Sequence, residues 1–407
     1  MTQHPSILYF LPLIGLAAFA GPITTVPWNG HAGAVSFTYD DARPGQIPNL
    51  IPQLDALGIK ATFFISTTGA GGDFEAKKSQ WIEVARKGHE LANHTKSHIN
   101  VPADPNAAGV INEMARYLRE LDPVVESVTF AYPYCDVNGR KAIDAENFIS
   151  RGCGGTRYGW GSPPSDWMNV QGLILNPTGT ANALSAINSA KTGNTWLITI
   201  IHDVTANPDA YSVTPADNMR MLDAAVAAGL WIDTYQTIAA YYRAHFVLDA
   251  ATASPTSAGW QLAWTSPHPK MPKSVKMRVK LDPATFGTGY SIRQGGTPIP
   301  PEPDGTFVID FMKLSLNVDR KSTGVLARPI LPANLVARAG RDGILCEGVA
   351  GEVEATLTDV RGAQLFRGRV ADGLVPVRTD RLHGILFLTL ADRASGTSVR
   401  VRIPAIR

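Results

Sequence analysis

The sequence predicts an α/β chain: a deformed (β/α) barrel followed by one or two small all-β sandwich modules. Three observations predict it. Residues 33–245 alternate short apolar runs with amphipathic helical patterns. Residues 260–407 carry only short strand-like runs separated by turn signals. Between them, residues 250–259 are rich in Ala, Ser, Thr and Pro and read as part of a linker spanning 246–259.

In chain order, 34–38 is the first strand. Ile47, Leu50, Ile51, Leu54 and Leu57 then follow helical spacing, and Gly58 closes that helix. Residues 61–65 form the next strand. Trp81, Ile82 and Ala85 sit on a helix stopped by Gly88. Later strands are expected at 128–131, 148–150, 196–201 and 230–233, with helices such as 216–228 and 237–245 between them. Strands that alternate with helices pair in parallel. In a closed parallel barrel the functional residues gather at the C-terminal strand ends. Asp40, Asp41, Tyr134 and His202 all follow such ends, and His94 follows the stretch 90–93. Beyond the linker, strands are expected at 275–279, 306–311, 314–318, 353–357, 364–369, 385–390 and 398–403. A split near 321–332 divides them into modules 260–320 and 333–407.

The chain has 407 residues, 44% apolar and 18% charged, which suits a globular protein with a sizeable core. Its net charge of +2 gives no reason to expect a nucleic-acid partner. The charge is uneven. Up to His245 there are 16 Lys and Arg against 21 Asp and Glu; beyond it there are 21 against 14. That shift marks a domain boundary. Residues 7–20 are a hydrophobic run too short to span a bilayer, and they end in an A-x-A pattern at 18–20. This suits a secretory signal over 1–20 and a secreted or cell-surface protein, although residues 1–6 hold no Lys or Arg. A buried N-terminal strand or helix is the alternative. No transmembrane anchor is expected. Of three Cys, Cys135 and Cys153 either pair, as an exported protein allows, or stay as buried thiols. Cys346 has no obvious partner.

Two short segments carry chemistry. Ser36-Phe37-Thr38-Tyr39-Asp40-Asp41 is a strand-like run that ends on two carboxylates. His94-Thr95-Lys96-Ser97-His98 places two imidazoles at i and i+4, on one face of a helical turn. Two His and one carboxylate make a three-ligand set with positions open for water and substrate. A second carboxylate provides a base. Each feature alone has a bland reading: a solvated turn for the carboxylates, a packed core histidine for His202. Their conjunction at strand ends points to a metal-dependent hydrolase.

With these residues in view, 33–245 resembles the polysaccharide deacetylases, carbohydrate esterase family four. Five motifs carry the resemblance: Thr38-Tyr39-Asp40-Asp41, His94 to His98, Ala131-Tyr132-Pro133-Tyr134-Cys135, Asp166-Trp167, and Ile198-Thr199-Ile200-Ile201-His202. The resemblance implies Asp41, His94 and His98 as ligands of a divalent metal, zinc or another transition metal. It implies Asp40 as the base toward the attacking water and the Tyr134 backbone N–H as an oxyanion donor. It implies His202 as the acid for the leaving group and Asp166 as the carboxylate that orients His202. Trp167 and Ile200 would wall the acetyl-methyl pocket; ordinary core packing is the other reading for that pair. The implied substrate is an acetylated polysaccharide, either an N-acetyl amide of chitin or peptidoglycan or an O-acetyl ester of xylan.

Three departures stand out. Ala131 occupies a position where the family usually has an Arg that helps position the base, and Arg43 or Arg157 are candidates to replace it. Ala42 and Cys135 stand where Gly is usual. The missing Arg supports a rival expectation, a non-catalytic glycan-binding protein on a decayed deacetylase scaffold. At the far end, Leu357-Thr358-Asp359-Val360-Arg361-Gly362 and Leu382 to Phe387 are similar to the C-terminal sorting domains of type IX secretion cargo. That similarity implies a contact with secretion machinery; a carbohydrate-binding or stabilising module is the alternative.

Overall fold

A computed structural model describes residues 21–175, 179–287, 289–320, 336–340, 343–347, 349, 352–371, 374–377, 382, 384–392 and 397–406. The signal segment expected at 1–20 lies outside the described residues. Seven strands form the barrel: β1 (Ala34–Asp40), β2 (Thr62–Ile65), β3 (Glu90–Asn93), β4 (Thr129–Ala131), β5 (Ile149–Cys153), β6 (Val170–Ile174) and β7 (Thr195–Ile201). Each pairs in parallel with the next, and β7 returns to β1 with Ala34 opposite Trp196 and Tyr39 opposite Ile201. Closure leaves no free edge among them. Strand β8 (Trp231–Ile232) adds to the start of β1, and Tyr158–Gly159 pairs antiparallel with β7.

Side chains alternate across the pleat, and the parallel registers align them into two sets. Ser36, Thr38 and Asp40 face inward, at the level of Ile198, Ile200, Thr62 and Phe64. Val35, Phe37 and Tyr39 face outward and are fully buried under helices. The helices are α1 (Ile51–Leu57), α2 (Lys78–Arg86), α3 (Ala107–Leu121), α4 (Arg140–Glu146), α5 (Thr180–Thr192), α6 (Pro215–Ala227) and α7 (Tyr235–Leu248). As expected, Gly58 ends α1 in a left-handed cap at φ 66°. Strand β6 was not anticipated. Its pattern is broken by Gly172, where an added Cβ would lie 2.8 Å from Ile200 Cγ1 and 3.3 Å from Arg151 Cδ. Glycine there leaves room inside the barrel for the Arg151 side chain.

Residues 246–259 are not a free linker, and 260–320 is not a separate module. Nine of the fourteen residues of α7 are buried. One side of α7 lies against the barrel, with Tyr235 and Tyr242 at 5.4 and 6.0 Å from Trp196. Tyr241, Leu248 and Ala251 join one apolar cluster with Leu262, Trp264, Met277 and Phe311. Ala253–Pro255 pairs antiparallel with Gly259–Ala263 in a five-stranded sheet. A three-stranded sheet beside it takes Ile23–Thr25 from before the barrel and pairs it with Lys276–Leu281. The Thr25 N–H and hydroxyl both donate to Asp249 Oδ1 at 2.7 Å. The composition of 250–259 is that of a linker, but the apolar surface of α7 overrides it. The described residues up to Asp319 thus form one unit.

The second unit, Arg320–Arg407, has a three-stranded and a four-stranded antiparallel sheet with one shared core, including Ile344, Leu357 and Leu388. Its D-x-x-G turn is formed: Asp359 Oδ1 accepts the N–H groups of Arg361 and Ala363, and Gly362 has φ 81°. No helix among the described residues is long and apolar enough to cross a membrane.

The shared core generates a prediction. A chain ended at Ala253 exposes the outer face of α7 and should melt well below one ended at Arg320, as followed by circular dichroism. Equal melting temperatures would restore the free-linker expectation.

Candidate active site

Loops after β1, β3, β4 and β7 meet at the C-terminal mouth of the barrel. Six non-glycine residues in them have left-handed backbones: Asp41 (φ 74°), Ala42 (52°), Thr95 (58°), His98 (47°), Tyr134 (57°) and Cys135 (60°). Each such residue costs roughly 1–2 kcal/mol, and strain of this kind gathers at functional sites. The helical turn expected for His94 and His98 is not formed. Asn93 Oδ1 accepts the Thr95 N–H at 2.9 Å, and Thr95 Oγ1 accepts the Ile99 N–H at 3.2 Å. These bonds hold an irregular turn instead. The two rings still meet, 5.0 Å apart and at 66°.

Asp41, His94 and His98 converge, with one ligand atom from each inside a 4.8 Å span. Asp41 Oδ1 lies 3.3 Å from His98 Nε2 and 3.6 Å from His94 Nε2. A tetrahedral ion with ligands at 2.0–2.1 Å separates them by about 3.3 Å. The His94 ring is oriented by its Nδ1, which donates to the Ala131 carbonyl at 2.8 Å. That bond leaves the Nε2 lone pair bare toward Asp41. Asp41 Oδ1 is buried and accepts no hydrogen bond among the described residues. Burial, and then the charge of Asp40, push the Asp41 carboxyl up to about 8. Burial holds His94 down at about 3, so it stays neutral. Two imidazole nitrogens and a carboxylate oxygen brought this close fit a divalent cation, as expected.

The group that orients Asp40 is neither Arg43 nor Arg157. It is Arg151, on β5. The guanidinium donates to Oδ1 at 2.8 Å and to Oδ2 at 2.6 Å, and also to Thr38 Oγ1 at 2.7 Å. It lies 4.6 Å from the Phe64 ring centre, and its side chain is 1% exposed. Arg151 is the register partner of Ala131 on β4. The guanidinium therefore reaches the base from the neighbouring strand, at the level of the position that Ala131 leaves empty. Burial alone would raise the Asp40 carboxyl, but the Arg151 guanidinium brings it down to about 2. The sequence held one signal for this residue: an Arg in phase with Ile149 on the inward face of a short strand. Arg43 instead pairs with Asp209 at 3.0 Å, and Arg157 is exposed.

His202 follows β7, with Nε2 3.8 Å from Asp41 Oδ2 and its backbone N–H donating to the Tyr211 carbonyl. Gln46 is buried and donates to the carbonyls of both Asp40 and His202, which ties the ends of β1 and β7 together. Asp166 is not brought to His202. It accepts the Met168 N–H at 2.9 Å and pairs with Arg140. Trp167 is not in the cleft either. Its carbonyl accepts from the Ser150 N–H, and its ring packs on Tyr242 and Arg243 of α7. Ile200 does line the cleft, beside Ile174. The cleft has a volume of about 440 Å3. Tyr134 and Tyr211 stand on its lining, 66% and 52% exposed, against His98 and His202 respectively. Cys135 and Cys153 are joined as a disulfide.

Residues 29–148 match the family described as Polysaccharide deacetylase. The match includes Asp40, Asp41, His94, His98 and Tyr134; Arg151 and His202 lie beyond it, and the closed barrel brings them to the same mouth. The chain is similar to a probable peptidoglycan-N-acetylglucosamine deacetylase of Arthroderma benhamiae, 31% identical over 117 residues, 27% of this chain and 25% of that one. It is also similar to a gellan lyase of a Bacillus species, 29% identical over 168 residues, 40% of this chain and 6% of that one. Among solved structures, the chitin deacetylase of Colletotrichum lindemuthianum is 18% identical with a TM-score of 0.38, covering 51% of this chain and 87% of that one. The chain thus spans a quarter or less of the length of these curated relatives.

Two predictions arise from this site. His98→Ala should lose stoichiometric divalent metal by elemental analysis; full retention would remove His98 as a ligand. Arg151→Met leaves the Asp40 charge buried without a partner and should cost about 3–5 kcal/mol of stability at pH 7. In the wild type, the depressed Asp40 pKa adds stability that is present above about pH 4 and lost as pH falls toward 2. In the variant, burial raises that pKa and acid relieves the charge. The gap between the two proteins should therefore narrow from pH 7 to pH 4 in denaturant melts.

Proposed function

We propose that this chain is a metal-dependent hydrolase that removes acetyl groups from an acetylated polysaccharide. One observation carries the reading. A charge-paired base, Asp40, adjoins a cation-fitting cluster of Asp41, His94 and His98, with His202 alongside, at the mouth of an open cleft. A divalent metal, with zinc the best match to this donor set, would supply a Lewis acid that polarises the acetyl carbonyl and acidifies the attacking water. Asp40 takes a proton from that water, and Arg151 keeps it ionised and aimed. The Tyr134 N–H faces the developing oxyanion. His202 gives a proton to the leaving nitrogen or oxygen. Ile174 and Ile200 offer an apolar wall for the acetyl methyl. Exposed Tyr134 and Tyr211 offer flat faces for sugar rings.

The glycan-binding alternative rested on the missing Arg at position 131. Arg151 removes that reason. Export belongs to the same reading and is supported by the disulfide, since such bonds persist in oxidising compartments. The 336–406 sandwich would then meet the secretion machinery.

Acetate release from N-acetylglucosamine oligomers and from acetylxylan, with and without a chelator, tests the reading. Release from neither by metal-loaded protein would end it. Asp40→Asn should keep metal and lose about 10²–10⁴-fold in rate; loss of metal as well would make Asp40 a ligand. His202→Ala should slow amide substrates more than esters, because an amine must be protonated to leave. Equal rates to wild type on amides would remove His202 as the acid. Tyr211→Ala should raise KM for oligosaccharides about three- to ten-fold and leave p-nitrophenyl acetate unaffected.

A further inference from the structure

The Cys135–Cys153 disulfide ties the loop after β4 to the end of β5, beyond the last backbone bond between them, Tyr132 N–H to the Arg151 carbonyl. Cys135 directly follows Tyr134 on the loop after β4, and Cys153 ends β5. Cys153 and Arg151 are two apart on one strand, so their side chains share the inward face. Both cysteines line the cleft. The bond therefore links the Tyr134 loop to the strand whose guanidinium holds Asp40.

A second observation concerns the loop itself. Tyr134 and Cys135 are consecutive left-handed residues, and neither is glycine. Side chains disfavour this conformation, which glycine adopts freely. The turn bonds here are few: Cys135 N–H to the Tyr132 carbonyl and Asp136 N–H to the Pro133 carbonyl, each at 3.2 Å. Tyr134 and Cys135 are both exposed, and beyond the contact of the Tyr134 ring with His98 packing adds little.

We propose that the Cys135–Cys153 disulfide is a positioning element of the active site, fixing the left-handed loop and hence the Tyr134 N–H relative to the Asp40–Arg151 pair. The inference rests on the deacetylase reading. The bond does here what glycine at position 135 would do by conformational freedom. Reduction should therefore slow the reaction while the barrel stays folded. A dithiol achieves this by thiol–disulfide exchange: the bond becomes two thiols and the reagent closes to its cyclic disulfide.

The test compares two paired variants with oxidised and dithiothreitol-reduced wild type, all metal-loaded. Cys135→Ala with Cys153→Ala keeps a side chain at the left-handed position and removes the bond. Cys135→Gly with Cys153→Ala removes the bond but restores conformational freedom. The Ala pair and reduced wild type should lose about five- to thirty-fold in kcat, the factor that one disfavoured left-handed residue represents. KM and metal content should stay near wild type. The Gly pair should recover most of the loss. A plain stabilising cross-link would not be rescued by glycine. Wild-type kcat in the Ala pair, or a Gly pair as slow as the Ala pair, overturns the proposal. Should the Ala pair fail to fold, reduction of the folded wild type gives the same readout. Wild type that releases no acetate refutes the deacetylase reading, and amide exchange over 133–136 then decides the disulfide's role. Slow exchange in oxidised wild type and fast exchange after reduction supports it; equal exchange overturns it.

Discussion

The two-pronged contact between Arg151 and Asp40 is the constraint on which the mouth of the barrel depends. Both side chains are almost fully buried, and a buried charge without a partner would be expelled or neutralised. The surroundings are arranged to keep the pair together. Gly172 and Ala131 leave the space, Thr38 accepts one further guanidinium hydrogen, and Phe64 offers its ring face. A barrel interior normally filled by branched apolar side chains here holds a cation and its counter-ion. This arrangement separates the roles of two adjacent carboxylates. Asp40 has a fixed partner and stays ionised. Asp41 has none, and its buried carboxyl keeps a proton that a cation from outside the chain would displace.

Much of the barrel was legible because its strands are buried on both faces and appear as short apolar runs with turn residues at their ends. The run 195–201 and the outward set Val35, Phe37 and Tyr39 are of this kind. β6 was not legible, since Gly172 interrupts it and Gln171 breaks its apolar pattern. Arg151 escaped for a related reason. Hydropathy treats a charged residue in a strand as facing water, and only closure of the sheet turns that position into an interior one. The convergence of Asp41, His94 and His98 was legible from residue types and spacing. The turn that carries the histidines was not, because it depends on local bonds from Asn93 and Thr95. Asp166 and Trp167 show the complementary failure: motif position indicates residue type, whereas the direction of the side chain is set by neighbours such as Met168, Arg140 and α7.

The misplaced boundary after His245 has a physical source in α7. Loop-like composition at 250–259 is a local property, but whether a segment hangs free is decided by the surfaces beside it. The run Tyr235 to Leu248 is apolar around most of its circumference, and such a helix needs burial on more than one side. The barrel covers one side through Trp196 and the β-rich sheets cover another through Leu262 and Trp264. The aromatic density of Tyr235, Tyr241, Tyr242 and Phe246 was therefore the better guide to domain limits than the Ala- and Ser-rich stretch that follows.

Proton and metal compete for the same oxygen. The buried Asp41 carboxyl holds its proton up to about 8 because of its surroundings and its neighbour's charge. A cation seated among Asp41, His94 and His98 must displace that proton, so affinity for the ion rises with pH until Asp41 is ionised. His94, neutral through the whole range, needs no such displacement. Arg151 adjusts the same balance from a distance, since its positive charge favours ionised Asp41 as well as Asp40. An arginine supplied from a neighbouring strand thus sets two things at once, the aim of the base and the ease with which the ligand beside it gives up a proton to a metal.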